Sequence, residues 1–317
     1  MYSGFLMKAR SLIRSLSVLT LGVALALGAS FGPGQLVTHF PAQLDEISGI
    51  AQSRSNPNIF WVHNDSGDKP RAYAVNRNGV LVGTYLFQGA TAVDWEDMAM
   101  GPAPGGRSYL YMADIGDNAG NRTSIRVYRV LEPRVNANQA PVSETLSGVT
   151  AFEFVYEDGP RDAEGFFVDP PTGEFYVVTK RELTGNRLYR SVAPVAGQVN
   201  TLMRVANFPF TGATGAAISP DGLQVLIRRY SSATNALAPP ATAASYWSRP
   251  NTSVSLVDLL QQPGQIVALV PEAQGEAITF SADNRGFYST GERGPGINPP
   301  PSPLTFYPLI PESSAKR

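Results

Sequence analysis

The chain has 317 residues, 43% of them apolar, no cysteine, and a formal net charge of −1. This length and apolar content can bury a large core in one domain or two. The near-neutral balance, with no run of Lys or Arg beyond the first fifteen residues, excludes the electrostatics of a nucleic-acid partner. The absence of cysteine removes a disulfide framework, thiolate metal sites, a cysteine nucleophile and a lipid-anchored amino terminus.

Residues 1–30 carry the pattern of a signal peptide. Lys8, Arg10 and Arg14 form a positive region, residues 16–27 an apolar run, and Gly28, Ala29 and Ser30 a small-residue exit, with cleavage expected near Ala29. The alternative, a retained anchor, has to contend with a run that is short for a bilayer span. Export predicts a secreted or periplasmic protein. Removing those three basic residues from 25 leaves 22 against 26 acidic ones, a net charge of −4. No later stretch is long and apolar enough to span a membrane, so residues 31–317 are expected to form one domain, monomeric and off the membrane.

Laid out in chain order, that domain repeats. The first copy is LDEISGIAQSRSNPNIFWVHNDSGDKPRAYAVN, starting at Leu44, and the second runs from Thr91 to Pro133. The third is RDAEGFFVDPPTGEFYVVTKRELTGNRLYRSV from Arg161, the fourth starts at Gly212, and the fifth, QGEAITFSADNRGFYSTGERGPG, at Gln274. Each has a short strand, a turn built on Pro, Asp, Asn or Gly, a second strand of alternating aromatic and β-branched residues, a polar loop and a third strand. Helical periodicity is absent. A fourth strand is expected between copies, at residues 80–87, 150–156, 202–208 and 265–270. The fifth member of that series is missing from the carboxyl end and is found instead at residues 35–40, ahead of the first copy. The pattern therefore predicts an all-β, five-bladed β-propeller, its ring closed by pairing the amino-terminal strand with the last blade, which also hides two sheet edges. A six-bladed ring is the alternative. It needs an extra unit in residues 135–147 or 231–244, both too short for four strands.

Aligning the inner strands stacks one position per copy: Ser48, Glu96, Glu164, Thr214 and Glu276. Each is followed by a small or acidic residue, Gly49, Asp97, Gly165, Gly215 and Ala277. Two residues earlier stand Glu46, Asp94, Asp162, Gly212 and Gln274. Three carboxylates in a narrow channel repel one another unless they are protonated or neutralised by a cation. An all-oxygen ring suits a hard cation, Ca2+ before Mg2+. The alternative is that these side chains hydrogen-bond the backbone of the neighbouring blade and hold no metal. Loops opening on the same face supply His63, Asn64, Asp65, Asp68, Asp114, Asp117 and Asn118 on one half of the rim, and Lys180, Arg181, Arg228 and Arg229 on the other, with Glu292 and Arg293 between. Such a bipolar funnel predicts a small anionic ligand or substrate, phosphate foremost. His63 is expected to be a capped loop histidine rather than a general base, and His39 to lie on the outer closing strand. The Pro-rich segments 238–244 and 294–303 are expected as long loops shaping the pocket. No nucleophile elbow, zinc-binding His pair, P-loop or dinucleotide fingerprint is present.

The strings WVHNDSG, DWEDMA, YLYMADIGDN, DAEGFFVDPPTGEFYVVTK and GEAITF resemble a group of secreted bacterial β-propeller proteins over nearly the whole of residues 31–317. The axial order hydroxyl, Glu, Glu, hydroxyl, Glu is also similar to that of the five-bladed calcium-activated nucleotidases, the apyrase family. That resemblance implies Ca2+ ligation at Ser48, Glu96, Glu164, Thr214 and Glu276. It further implies phosphate contacts from Lys180 and Arg228, and a water-orienting acid at Asp65 or Asp114. The chain departs from the family in the first copy, where Asn64, Asp65, Ser66 and Gly67 replace an Asp-Arg-Thr-Gly type sequence and the arginine is lost. Two expectations follow: a secreted, metal-dependent hydrolase of a phosphate ester or nucleotide, or a non-catalytic ligand- or protein-binding propeller with a structural central ion.

Overall fold

The computed structural model describes residues 30–65, 67–230, 242–294 and 299–310. Two short strands come first, β1 (Ser30–Phe31) and β2 (Gln35–His39). Then β3 (Ile47–Gln52), β4 (Ile59–Asn64), β5 (Arg71–Asn76) and β6 (Leu81–Phe87) pair antiparallel in chain order. A second set follows in β7 (Trp95–Ala103), β8 (Arg107–Asp114) and β9 (Ile125–Leu131). The chain then detours through β10 (Val142–Leu146), which lies parallel beside β6, before β11 (Thr150–Tyr156) completes that set against β9. The third set is β12 (Ala163–Val168), β13 (Phe175–Thr179), β14 (Arg187–Ser191) and β15 (Val199–Asn207). The fourth is β16 (Ala213–Ile218), β17 (Gln224–Arg229), β18 (Ala243–Ser248) and β19 (Gln265–Ala268), with the short helix α1 (Leu256–Leu260) ahead of β19.

The last set has only three strands of its own, β20 (Gln274–Phe280), β21 (Gly286–Glu292) and β22 (Pro303–Ile310). Its fourth place is taken by β2, which sets Gln35 opposite Phe306, while β1 sets Ser30 opposite Ile310. The innermost strands β3, β7, β12, β16 and β20 pack each against the next, and β20 packs against β3. The molecule is an all-β propeller closed by its amino-terminal strand. Of the expected targeting segment, only Ser30 lies within the described residues. Among those residues no helix is long and apolar enough to cross a membrane.

Two elements depart from the sequence pattern. β10 has no counterpart in the other sets, and its alternating Val142-Ser-Glu-Thr-Leu146 gave little signal because three of its five residues face solvent. The helix α1 is only five residues long, too short for a periodicity to register. Its amino end is capped by Ser255 Oγ, which accepts from the Asp258 N–H. Of the Pro-rich segments, residues 238–241 and 295–298 lie outside the described residues, while Ala243, Ala244 and Pro303 are strand residues.

Apolar burial between neighbouring sets supplies the cohesion. Trp61, Tyr85, Phe87, Trp95 and Tyr128 meet between the first and second sets, and Tyr111, Phe152, Phe166 and Phe175 between the second and third. Each such side chain is worth roughly 1.5–3 kcal/mol when removed from water. Trp61 also donates Nε1–H to Glu132 Oε1 at 2.9 Å, and that buried carboxylate accepts as well from Ser53, Asn56 and the Ser55 N–H. Ring closure leans on one turn. Gly79, in the Asn78-Gly79 turn with φ of 80°, packs on the His39 carbonyl of the closing strand so closely that a Cβ there would overlap it.

Gly79→Ala is therefore expected to destabilise more than Gly89→Ala, whose φ of 78° is similar but which has open space around it. The left-handed backbone costs both about 1–2 kcal/mol, and displacement of the closing strand adds about 1–3 kcal/mol to Gly79→Ala alone. Urea unfolding of the two variants reads the difference, and equal midpoints would show that this contact does not hold the ring.

Candidate functional site

Each inner strand slips register once, at the same place. Pairing skips between Ile47 and Gly49, Trp95 and Asp97, Ala163 and Gly165, Ala213 and Gly215, and Gly275 and Ala277. The residue passed over is in turn Ser48, Glu96, Glu164, Thr214 and Glu276, the five axial positions of the repeat. A β-bulge re-aims a side chain and frees it from the strict alternation of a strand. All five residues are nonetheless buried.

The two hydroxyls are turned to neighbouring backbone. Ser48 Oγ donates to the Glu96 carbonyl at 2.7 Å, and Thr214 Oγ1 to the Gly275 carbonyl at 2.9 Å, each tying its strand to the next. The three carboxylates gather around a cation of the chain itself. Lys180, just past the end of β13, bonds Glu164 Oε1, and its charge also acts on Glu276 and Glu96. Burial draws the ammonium down, but these carboxylates outweigh it and hold Lys180 above its ordinary value. Burial, then Glu164, Asp65 and Asp94, push the Glu96 carboxyl well up. Burial also raises Glu164 and Glu276, and in both Lys180 opposes it. Glu164 Oε2 and Glu276 Oε2 are buried with no hydrogen-bond partner.

Further acids widen the cluster. One carboxylate oxygen each from Asp65, Asp94 and Glu96 lies within 4.8 Å of the others, and the same holds for Glu96, Asp162 and Glu164. Glu96 belongs to both groups. The second carries its own counter-ions, because Asp162 bonds Arg181 Nε and Glu164 bonds Lys180. In the first, neither Asp94 nor Glu96 is in an ion pair among the described residues; Asp94 accepts only a long 3.4 Å bond from Asn118 Nδ2. Burial, then Asp65 and Asp162, push the Asp94 carboxyl up to about 6, and burial with Glu276 and Asp65 pushes Glu292 up to about 7. Gly116 closes over the first group: a Cβ there would overlap both Glu96 Oε1 and Asp94 Oδ2. Beside the cluster opens a cleft of about 450 Å3 lined by Lys180, Arg181, Tyr230, Gln274 and Glu276.

The basic half expected of the rim is largely spent inside the protein. Arg228 does not face the mouth. It is fully buried, paired with Glu272, and its Nη1 donates to Ser289 Oγ and to the carbonyls of Thr290 and Ala277, at 3.1 and 3.2 Å. The cause is a hole left by Gly275, where a Cβ would overlap the guanidinium. Arg229 lies over the Phe210 ring, 4.8 Å from its centre. Asp114 is likewise buried. It accepts the N–H groups of Asp94 at 3.0 Å and Val93 at 3.3 Å and pairs with Arg122 at 2.9 Å, which fixes the start of β7 rather than a water. Asp117 caps its own loop through the Asn121 and Arg122 N–H groups. His63 is a strand residue, with Nδ1 2.8 Å from the Asn64 carbonyl and a buried Nε2 without a partner, and burial lowers its pKa. His39 lies on the closing strand, as expected.

Sequence reasoning missed the importance of Asp97. Its carboxylate, fully buried one layer below the ring, accepts the N–H groups of Met98 and Phe166, both at 2.8 Å, and of Ala216 at 3.0 Å. It thereby ties three inner strands together. Burial pushes it well up, and these three bonds oppose the rise. The signal was present: in the other copies this position is Gly49, Gly165, Gly215 and Ala277, and four small residues leave room for one carboxylate.

No protein-family model and no curated protein sequence matches the chain. Among solved structures it is similar to a glucose dehydrogenase, at 10% identity and a TM-score of 0.47, over 87% of this chain and 99% of that one. It is similar to the Kuenenia stuttgartiensis hydrazine synthase at 14% identity and a TM-score of 0.41, over 80% of this chain and 57% of that one. The periplasmic gluconolactonase of Pseudomonas aeruginosa aligns at 13% identity and a TM-score of 0.36, over 77% of this chain and 65% of that one.

Asp97→Ala leaves the Phe166 and Ala216 N–H groups buried and unpaired, and is expected to cost about 3 kcal/mol or more in urea unfolding. Both donate to the same oxygen, Oδ2. Asp97→Asn retains a carbonyl oxygen that can take that place and is expected to cost less than half as much. Equal losses would mean that the charge, not the acceptor, holds the strands.

Proposed function

We propose that the acidic mouth of this propeller binds a hard divalent cation, Ca2+ in preference to Mg2+, and that the protein works as an exported cation-binding propeller. The observation that carries this reading is the first carboxylate group: oxygens of Asp65, Asp94 and Glu96 within 4.8 Å of one another, under a glycine that leaves no space for a Cβ. An all-oxygen donor set of this kind suits Ca2+, which accepts a variable ligand number, better than Mg2+ with its strict octahedron. Asp65, Asp94 and Glu96 form the core of the ligand set. Glu164 and Glu276, each with an oxygen lacking a partner, stand next in line, and Ser48 and Thr214 brace the strands that carry them. Export rests on the basic-then-apolar start of the chain.

A second reading, hydrolysis of a phosphate ester or nucleotide, is favoured by one observation: Lys180 and Arg181 line an open cleft directly beside the carboxylates. A bound Ca2+ would supply Lewis-acid polarisation of a phosphoryl oxygen. Lys180 would hold the anion by charge and Asp65 would orient water. Arg228 and Asp114 have no part in this scheme, being committed to Glu272 and Arg122.

Calorimetric titration of the exported protein is expected to give one tight Ca2+ per chain, with Mg2+ at least tenfold weaker. At a hundredfold excess over Kd, Ca2+ adds about 2.7 kcal/mol of stability. Asp94→Asn and Gly116→Ala are expected to weaken Ca2+ at least tenfold while the protein stays folded. Wild-type protein that takes up no Ca2+ and melts at the same temperature in chelator ends this reading.

Phosphate release from nucleoside diphosphates and model phosphoesters separates the two roles. Lys180→Ala is expected to retain Ca2+ and lose turnover if the protein is a hydrolase. No turnover by the wild type on such a panel leaves the cation-binding reading alone.

A further inference from the structure

A second cavity lies at the other end of the propeller. It encloses about 200 Å3 between the second and third sets, walled by Tyr111, Phe152, Phe175, Ala193 and Pro194, with Arg129 among its lining. Pro102, at its lip, is six residues along β7 from Glu96, which at ~3.3 Å per residue separates it from the acidic mouth by roughly 20 Å. The walls are rigid, because Phe175 packs edge-on against Phe152, Tyr111 and Phe166, with ring centres 5.3 to 5.5 Å apart.

Arg129 is the unusual group. Its guanidinium lies over two rings, with Cζ 4.4 Å from the centre of Tyr109 and 4.9 Å from that of Phe152. It is in no ion pair among the described residues, and Glu153 on the neighbouring strand is turned to Ser124 and Arg126. Its Nε is buried, and the guanidinium also faces the Tyr111 hydroxyl at the cavity wall. On the Gly173 side of the wall the acids are also committed, Glu174 to Tyr176 at 2.7 Å and Asp169 to Arg249 at 2.9 Å. Arg54, at the adjoining mouth of the central channel, is a second guanidinium outside any ion pair among the described residues, and Tyr111 feels both charges. Ala193 holds a left-handed φ of 47° at the rim, a conformation that costs a non-glycine residue about 1–2 kcal/mol. The Arg129 guanidinium thus borders a space large enough to admit an anion, with no carboxylate of the described residues paired to it.

We propose that this cavity binds a small monocarboxylate with a flat apolar body, that is, a single-ring aromatic acid. Its carboxylate pairs with the Arg129 guanidinium at the cavity wall, a planar donor group suited to a carboxylate. Its ring lies among Tyr111, Phe152 and Phe175. The volume falls below the ~300–1,000 Å3 of drug-sized sites, which limits the body to about one ring. The aromatic walls and single contacting cation select a monoanion over a phosphate dianion. The site is independent of the cation at the acidic mouth.

Benzoate and its neutral isostere benzamide are the probes, titrated into the full chain by calorimetry or ligand-observed NMR. Benzoate is expected to bind one per chain, at least tenfold tighter than benzamide, and equally in Ca2+ and in chelator. Arg129→Gln is expected to weaken benzoate at least tenfold and leave benzamide within twofold. If that variant melts early, Arg129→Lys keeps the charge, loses the planar fork, and is expected to give a similar loss. Equal affinity for the two probes, no saturable binding of benzoate, or benzoate binding unchanged by either variant overturns the proposal.

Discussion

The acidic mouth depends on a register slip made five times. In a regular strand, consecutive side chains point to opposite faces, so Glu96 and Asp97 could not both serve the interior of the ring. The bulge at Glu96 lifts that restriction: Asp97 reaches the backbones of β12 and β16, while Glu96 joins the carboxylates at the mouth. The same slip at Ser48, Glu164, Thr214 and Glu276 gives each set one side chain released from the pairing ladder. Two of these became inter-strand ties and three became charges.

Those charges set the energetic problem of the fold. Two unit charges about 5 Å apart at an effective dielectric of ~20 repel by about 3 kcal/mol, and three mutual repulsions of that size approach the whole stability of a domain, about 5–15 kcal/mol. The ring can stand only if protons or cations neutralise it. Lys180 supplies one cation and Arg181 a second through Asp162. Between them they satisfy the Asp162 and Glu164 side of the cluster and leave Asp94 and Glu96 outside any ion pair among the described residues. Burial then raises those two carboxyls, which is the condition that a divalent ion would relieve. The pull is therefore toward the off-axis group around Asp65 and Asp94, because the axis is already served by Lys180.

Much of this arrangement was legible in the sequence. The repeat gave the fold, the closing strand and the five axial positions, because turn residues and strand alternation recur at matching intervals from Leu44 to Ile310. What was not legible is the direction of long side chains. Arg228 and Arg229 look like rim residues at a strand end, yet the missing side chain at Gly275 draws Arg228 inward to Glu272, across a set boundary that spacing does not encode. Asp114 looks like a loop acid, and only the fold brings the Asp94 N–H and Arg122 to it. Likewise β10 could not be foreseen, since its parallel partner β6 lies more than fifty residues earlier.

Asp97 explains why the two ends of the ring can differ in chemistry. Below its carboxylate the channel narrows to a cavity of about 30 Å3 lined by Met98, Phe166, Ala216, Ile278 and Arg54, space for little more than water. Above it, the three N–H bonds that Asp97 accepts draw β7, β12 and β16 together. Acidic groups gather at one mouth, and the guanidiniums of Arg54 and Arg129 stand at the other end. Packed strands lie between the two ends, so the cation proposed for one and the carboxylate proposed for the other would sit apart within one ring.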